Sequence, residues 1–383
     1  MRRLGHFRLV AAAALLPFAL AAQGTLVREG GRWVETITGM APATGMLRVN
    51  AEGPVRLEGR AAGQIVYTAR LTVNAATEAE ARRILAGYAI RAVRAGNWVV
   101  LVVPGDPVMA SISVKAPRLD TALISTTNGS VDVENVDGNL QVESGAGELK
   151  CNRIRGNTRL TTGGGDIRVG EVDGSLRGST GGGRITVKKV GGEAVLETAL
   201  GDIEVTEAGS TVQAETAGGL VRVNNAAQSV SATTGGGPIV VGRAGGVVVA
   251  RNMAGPVQVG AAAGVRCESG TGGIRVSNVS GPLRVSTAVG NIMASLLAGK
   301  PLADSFLTTG DGDITVLIPS NLGVTVWAEN SLADSPRRIV SDFPGIPVRM
   351  RGMQVVAEGQ VNGGGPLLRI SGMGGTIYIK REP

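Results

Sequence analysis

Side chains that change charge or share electrons are where catalysis starts, and in this 383-residue chain the most versatile of them is almost missing. The one histidine, His6, lies within the first ten residues. Nothing downstream can therefore form a Ser-His-Asp or Cys-His nucleophile pair, or supply a histidine metal ligand. Cys151 and Cys267 are the only two cysteines and stand 116 positions apart. Both fall on apolar, inward positions of the pattern described below. At strand spacing that separation implies ~30 Å, whereas a disulfide needs Cα atoms within ~7 Å. They read as small core residues, neither a bridge nor a metal site.

Carboxylates offer more. Asp132 with Glu134, Glu148 with Lys150, and Asp166 with Arg168 alternate as they would on strand faces, the kind of surface with which β-helical enzymes attack acidic polysaccharides. Paired acid–base work needs a groove that perturbs pKa values, and short glycine corners build no groove walls. No aromatic residue lies between Trp98 and Phe306 to serve as a sugar platform. The run Gly163, Gly164, Gly165, Asp166 resembles a calcium-binding β-roll, but an aspartate must then recur at each corner. The Asp166 position instead becomes Arg184, Asp202, Leu220, Pro238 and Pro256. Asp311, Gly312 and Asp313 read as a turn with solvated carboxylates in preference to an ion site. The glycine clusters lack the Gly-Lys-Ser/Thr ending and following helix of a phosphate loop. The expectation is a non-enzyme with no catalytic residues, cofactor or metal; the alternative is a polysaccharide-acting β-helix enzyme, a lyase or hydrolase.

The elements that must position these side chains are written in a repeat. Gly129, Gly147, Gly165, Gly183, Gly201, Gly219, Gly237 and Gly255 recur every 18 residues, and a one-residue deletion then moves the series to Gly272 and Gly290. Two residues after each glycine comes an apolar residue (Ile167, Ile185, Ile203), and two further on a second (Val169, Val187, Val205). A third follows three later (Val172, Val190, Ala208). Apolar residues two apart share one strand face, and a fixed short period means stacked equivalent units. Each unit reads as one coil of two short strands joined by glycine corners, with coils ~4.8 Å apart. A second column supports the register: Thr162, Thr180, Thr198, Thr216, Thr234, Ser269 and Thr287, broken only by Asn252. Its hydroxyls are placed to bond one another and the turn backbone. The fold class is all-β, a single-stranded β-solenoid (β-helix) with 18-residue coils.

Other stretches frame the repeat. Residues 1–21 carry Arg2, Arg3 and Arg8, an apolar run and a small-residue ending, which reads as a signal peptide. Its removal takes those three arginines and lowers the net charge from +7 to +4. Acidic and basic residues alternate along the repeats, so no one-signed stripe for nucleic acid is present. Residues 22–107 read as a small α+β N-terminal cap over the first coil, with a helix opened by Thr77 and with Trp33 and Trp98 in its core. Residues 108–330 form the repeats, with 294–307 lengthening one turn. Residues 331–383 close the C-terminal end. No later apolar run is long enough for a transmembrane helix.

The signal peptide, the TTGGGDIRV-type units (161–169) and the closing NGGGPLLRISGMGGTIYIK (362–380) resemble the secreted bacterial β-strand-repeat adhesin family, a domain of unknown function. The resemblance implies a periplasmic or cell-surface protein with an adhesive or scaffolding role and transfers no catalytic residue. Independently, the outward position after each ladder glycine turns apolar at Leu220, Pro238 and Pro256, and Val240, Val247 and Val249 lie in the same coils. Such a patch implies a contact surface for an extracellular protein or glycan, for self-association, or for cover by residues 333–361.

Overall fold

The computed structural model describes residues 16–17, 24–61, 63–297, 302–332 and 335–382. Of the expected signal peptide, only Leu16 and Pro17 are described, paired antiparallel with Arg94 and Val93; the rest lies outside the described residues. The protein is a β-solenoid with 18-residue spacing, and its described residues form about 11 parallel coils with 3% helix. It divides into two compact units, one of residues 1–149 and 153–156, the other of residues 150–152 and 157–383.

In the second unit the chain alternates between two sheets, and each strand pairs in parallel with the strand one coil later. Leu176–Thr180 is followed by Ala194–Thr198, Val212–Thr216 and Val230–Thr234 on one side. Ile185–Val190, Ile203–Ala208, Val221–Ala226 and Ile239–Ala244 follow on the other. The inward residues stack as the sequence pattern requires. Ile167, Ile185, Ile203, Val221 and Ile239 are vertical neighbours and each is fully buried. Burying each such side chain contributes about 1.5–3 kcal/mol. The one-residue deletion appears as a 17-residue offset between Val247–Ala254 and Gly264–Thr271. The lengthened turn appears as a 22-residue offset, Ile292 opposite Ile314. Cys267 is a core residue, its thiol pushed up to about 12 by burial and secondarily by Glu268. Both Cys151 and Cys267 are buried, and neither forms a disulfide with a described residue.

The hydroxyl column has a sharper role than mutual bonding. Thr216 donates to the carbonyl of Gly201 in the preceding coil (2.9 Å) and accepts from the N–H of Gly219 (3.1 Å). The same pair of bonds repeats at Thr180, Thr198 and Thr234. Asn252, the exception by residue type, keeps the contact, since its amide donates to Gly237 O (2.8 Å) and Gly255 O (3.1 Å). The ladder glycines are glycines for want of space. A Cβ on Gly201 or Gly219 would lie 2.0 Å from the glycine carbonyl of the previous coil, well inside contact distance.

Both ends of the chain depart from sequence order. In the first unit Met46–Ala51 pairs in parallel with Trp98–Val103 on one side and Thr121–Thr126 on the other. Val55–Gly59 likewise sits between Met109–Ala116 and Val131–Val136. Residues 46–59 are thus a coil of the solenoid, inserted between two coils that follow it in the chain, which corrects the expectation that this stretch only covers the first coil. The remaining capping strands are antiparallel: Arg91–Ala95 on Trp98–Val103, and Gln64–Val73 on Met109–Ala116, followed by Arg32–Pro42 and Leu26–Glu29. Glu78–Ala86 is the expected helix, with Thr77 accepting from Glu80 N–H (3.3 Å) and Ala81 and Leu85 buried. Trp33 and Trp98 differ from the expected core residues. Both are half-buried, covered by the guanidinium groups of Arg28 and Arg48 at 5.7 and 5.4 Å.

The C-terminal end of the second unit uses the same device. Leu367–Gly372 is inserted between Ser305–Asp311 and Val324–Asn330, parallel to both. Ile377–Arg381 lies between Ile314–Ile318 and Ile339–Ser341. The last two strands of the chain do not finish the stack. Gln354–Val361 and Val348–Arg351 do, adding antiparallel edges beyond Val324–Asn330, where an open parallel edge would invite further pairing.

Candidate functional site

The apolar patch read from sequence is divided by the fold. Val240 lies on Ile239–Ala244, and Leu220, Pro238 and Pro256 sit at the corners leading into that sheet. Val247 and Val249 lie on Val247–Ala254 in the opposite sheet, so their side chains face away from the other four. The turns between the two sheets also carry exposed apolar side chains that sequence reading passed over: Leu200 is 72% exposed, Met253 75% and Val289 50%. The strands of residues 335–361 do not cover either set, being hydrogen-bonded at the C-terminal end instead.

A more specific surface lies on the outer face of the sheet containing Ser305–Asp311. Outward positions alternate with buried ones along each strand, and parallel pairing stacks them into columns. One column reads Arg266, Arg284, Phe306, Arg369 and Trp327 on five successive rungs. It spans about 19 Å at strand spacing. The Arg284 guanidinium lies 5.0 Å from the Phe306 ring centroid, and that of Arg369 lies 5.7 Å from Trp327. Both rings are half-buried while the arginines reach solvent. Beside it runs a polar column of Glu268, Ser286, Thr308, Ser371 and Glu329.

Hydrogen bonds between the columns fix the arginines. Arg266 Nη2 donates to Glu268 Oε1 (2.9 Å), and Arg369 Nη2 to Glu329 Oε1 (3.1 Å). Ser371 Oγ also donates to Glu329 Oε1 (2.9 Å). Burial alone would raise the Glu329 pKa, but the Arg369 and Ser371 hydrogen bonds outweigh it and hold the carboxyl below its ordinary value. Arg284 has no acidic partner among the described residues, leaving its whole fork available. A trough of about 290 Å³ runs between the columns past Arg266, Glu268, Arg284, Ser286, Phe306 and Thr308. Aromatic faces, arginine forks and hydroxyls in alternating rows suit a flat, extended, polar ligand. Rings stack on the aromatic faces, while guanidinium groups and hydroxyls bond its oxygens.

This column was invisible in the sequence. Phe306 and Trp327 stand out as rare aromatics, but Arg369 is brought between them only by the inserted coil. Their position also corrects one step of the argument against sugar recognition, because the scarcity of aromatics along the repeat does not extend to the C-terminal face.

The carboxylates weighed as catalysts are engaged otherwise. Glu134 receives Arg153 Nη2 (2.5 Å), and both Asp132 and Glu134 lie 3.8 Å from Arg56. Asp166 receives Arg168 (2.9 Å) and caps the N–H of Arg184 one coil on (3.0 Å). Asp202 caps Leu220 N–H (2.9 Å), and Asp313 caps Thr376 N–H (2.7 Å). Corner aspartates thus tie adjacent coils together, which accounts for Asp313 without an ion. Among the described residues no group of three or more metal-binding side chains converges, and no helix is long and apolar enough to cross a membrane.

No family model matches the chain, and no curated protein sequence matches it. Solved structures give faint likenesses. One is a candidate cell adhesion protein from Clostridium sporogenes, with 9% identity, TM-score 0.20, and coverage of 91% of this chain and 100% of that one. A candidate lipid binding protein from Parabacteroides distasonis has 12% identity and TM-score 0.26, covering 73% and 96%. A candidate adhesin from Bacteroides fragilis has 11% identity and TM-score 0.23, covering 91% and 97%.

Proposed function

We propose that this chain is a non-enzymatic secreted β-solenoid of the cell envelope, periplasmic or on the cell surface. It acts as an adhesin or scaffold that grips an extended ligand through its strand faces. The observation that carries the reading is the column of Arg266, Arg284, Phe306, Arg369 and Trp327, a ready-made recognition surface with no reacting group at its centre. The two acids beside it serve the arginines: Glu268 is bonded to Arg266, and Glu329 is kept ionised by Arg369 and Ser371. A glycosidase needs one carboxyl raised to act as an acid, and the shift at Glu329 runs the other way. The ligand class best suited to stacked rings and exposed arginine forks is a glycan bearing carboxyl or other acidic groups. A glycan array run beside a depolymerisation assay on each bound glycan tests the reading. Retention that disappears in the Phe306→Ser/Trp327→Ser double variant, with the bound polymer left intact, is expected. Shortening of the polymer by the wild-type protein would favour the enzyme reading instead.

A further inference from the structure

The first unit holds a second feature that the strand-face reading does not use. At one corner four successive rungs, assembled out of sequence order, bring arginines together: Arg118, then Arg60, then Asn135 with Asp137, then Arg153 with Arg155. The order is set by Gly59 opposite Ala116, by Arg60 N–H donating to Ala116 O (2.8 Å), and by Arg155 N–H donating to Val136 O (2.9 Å). These six side chains line a groove of about 360 Å³. Its floor depends on Gly59, where a Cβ would lie 1.9 Å from Asn135 O.

Three of the four guanidinium groups are held from one side by acids. Arg60 Nε donates to Glu58 (2.8 Å), Arg153 Nη2 to Glu134 (2.5 Å), and Arg155 Nη1 lies 3.1 Å from Asp137. Each guanidinium has five N–H donors in a fixed fork, so these contacts orient the groups and leave donors over. Arg118 has no acidic partner among the described residues and contributes its full charge. Four arginines against Glu58, Glu134 and Asp137 leave one uncompensated positive charge.

Backbone geometry aims two of these side chains. Asn135 and Arg153 occupy equivalent positions on neighbouring rungs, and both are left-handed, with φ of 59° and 55°. The later rungs at Glu171, Lys189, Glu207, Asn225 and Arg243 show no positive φ, and the conformation returns at Asn278, the equivalent position of a later rung. Asparagine adopts this conformation readily, whereas a long side chain such as arginine is held in it only by its surroundings. Here it places Arg153 Nε 2.5 Å from Asn135 Oδ1, and both residues line the groove.

We propose that this groove is an oxyanion-binding site, taking a sulfate, phosphate or carboxylate group. Planar forks bond such groups through paired N–H donors. Because every arginine is exposed, the site is weak for a lone anion and sensitive to salt. It gains from a group presented repeatedly along a polymer.

Equilibrium dialysis of the purified protein with radiolabelled sulfate tests this, with ionic strength fixed by sodium chloride and with phosphate and acetate as competitors. The expected result is saturable uptake at one site, weakened about fivefold in Arg118→Ala, the loss of one solvent-exposed charge contact. Arg118→Lys should restore only part, since an ammonium lacks the fork. Arg118→Ala should keep the parent's melting midpoint because its side chain holds no acidic partner; Arg155→Gln provides the same readout at a second position. Dextran sulfate binding more tightly than free sulfate, with the same loss in Arg118→Ala, identifies a polymer-borne group. Displacement by phosphate but not by acetate identifies a tetrahedral one. Chloride competing as well as sulfate at equal ionic strength, or both variants binding like wild type, overturns the proposal.

Discussion

The coils from Ile185 to Ile239 and the coils at either end of the chain use the same strand, the same spacing and the same parallel hydrogen bonding, yet they carry different information. In the middle each rung follows its predecessor in sequence, so every column is filled by residues 18 positions apart. Equivalent positions there have converged on what stacking rewards: isoleucine and valine inside, threonine at the corner, glycine where a carbonyl passes. At the ends, the coil of residues 46–59 and the coil of residues 367–381 are each inserted between two others. Columns there join positions that share no period, and chemically unlike residues become neighbours. Both candidate surfaces are products of that insertion. Arg369 enters between Phe306 and Trp327, and Arg60 enters between Arg118 and the Asn135 rung. Regular stacking spends its residues on the ladder, whereas a break in order is where the ladder acquires a surface with chemistry.

Deletion of a whole coil should separate the middle of the chain from its ends most visibly. Removing residues 203–220 should leave Ile185 facing Val221 in register, giving a folded protein with a slightly lower melting midpoint, since stability in such arrays is close to a sum of neighbour terms. Removing residues 46–59 takes away the strands on which both 98–116 and 121–136 are paired, and the first unit should lose cooperative melting by circular dichroism. Equal tolerance of the two deletions would erase the distinction.

Within the middle, glycine identity sharpens the picture. Gly201→Ala should cost about 3 kcal/mol or more, because the new Cβ meets a backbone carbonyl at 2.0 Å and a coil must shift. Gly182→Ala, with nothing within 4 Å of the added carbon, should change stability by less than about 0.5 kcal/mol. Urea denaturation of the pair measures the difference.

The corner hydroxyls come next. Thr216→Val leaves the Gly201 carbonyl and the Gly219 N–H without their shared partner and should cost about 2 kcal/mol. Asn252→Thr restores the column's usual residue and should be close to neutral by the same measurement. A smaller effect is expected at the inserted coil. Arg369→Met removes one exposed cation–π contact and one ion pair, worth together about 1 kcal/mol. The clearer signal there is a change in Trp327 fluorescence.

What could be read from sequence follows the same division. The glycine ladder, the buried columns around Ile167 and Ile203, the hydroxyl column and the turn lengthened before Ser305 were all legible, because each repeats a local rule. Asn252 appeared to break its column, yet its amide reaches the same carbonyl as a threonine hydroxyl, so function within the ladder was kept while residue type was not. Grouping Val240 with Val249 failed for a simple reason: the corner between them moves the chain to the opposite sheet. The arginine–aromatic column and the arginine groove were out of reach, because pairing Phe306 with Arg369 or Arg60 with the Arg118 rung depends on long-range order that no periodicity encodes.

Insertion of the 367–381 coil can be tested by pairwise cysteine cross-linking. Ser371 is the register partner of both Thr308 and Glu329, each one strand spacing away, whereas Thr308 and Glu329 are two spacings apart, about 9.6 Å, beyond disulfide reach. Cysteine at 371 should oxidise readily with cysteine at 308 and, in a separate variant, with cysteine at 329, while the 308/329 pair should stay reduced. Ready bridging of 308 with 329, with 371 joining neither, would contradict the insertion.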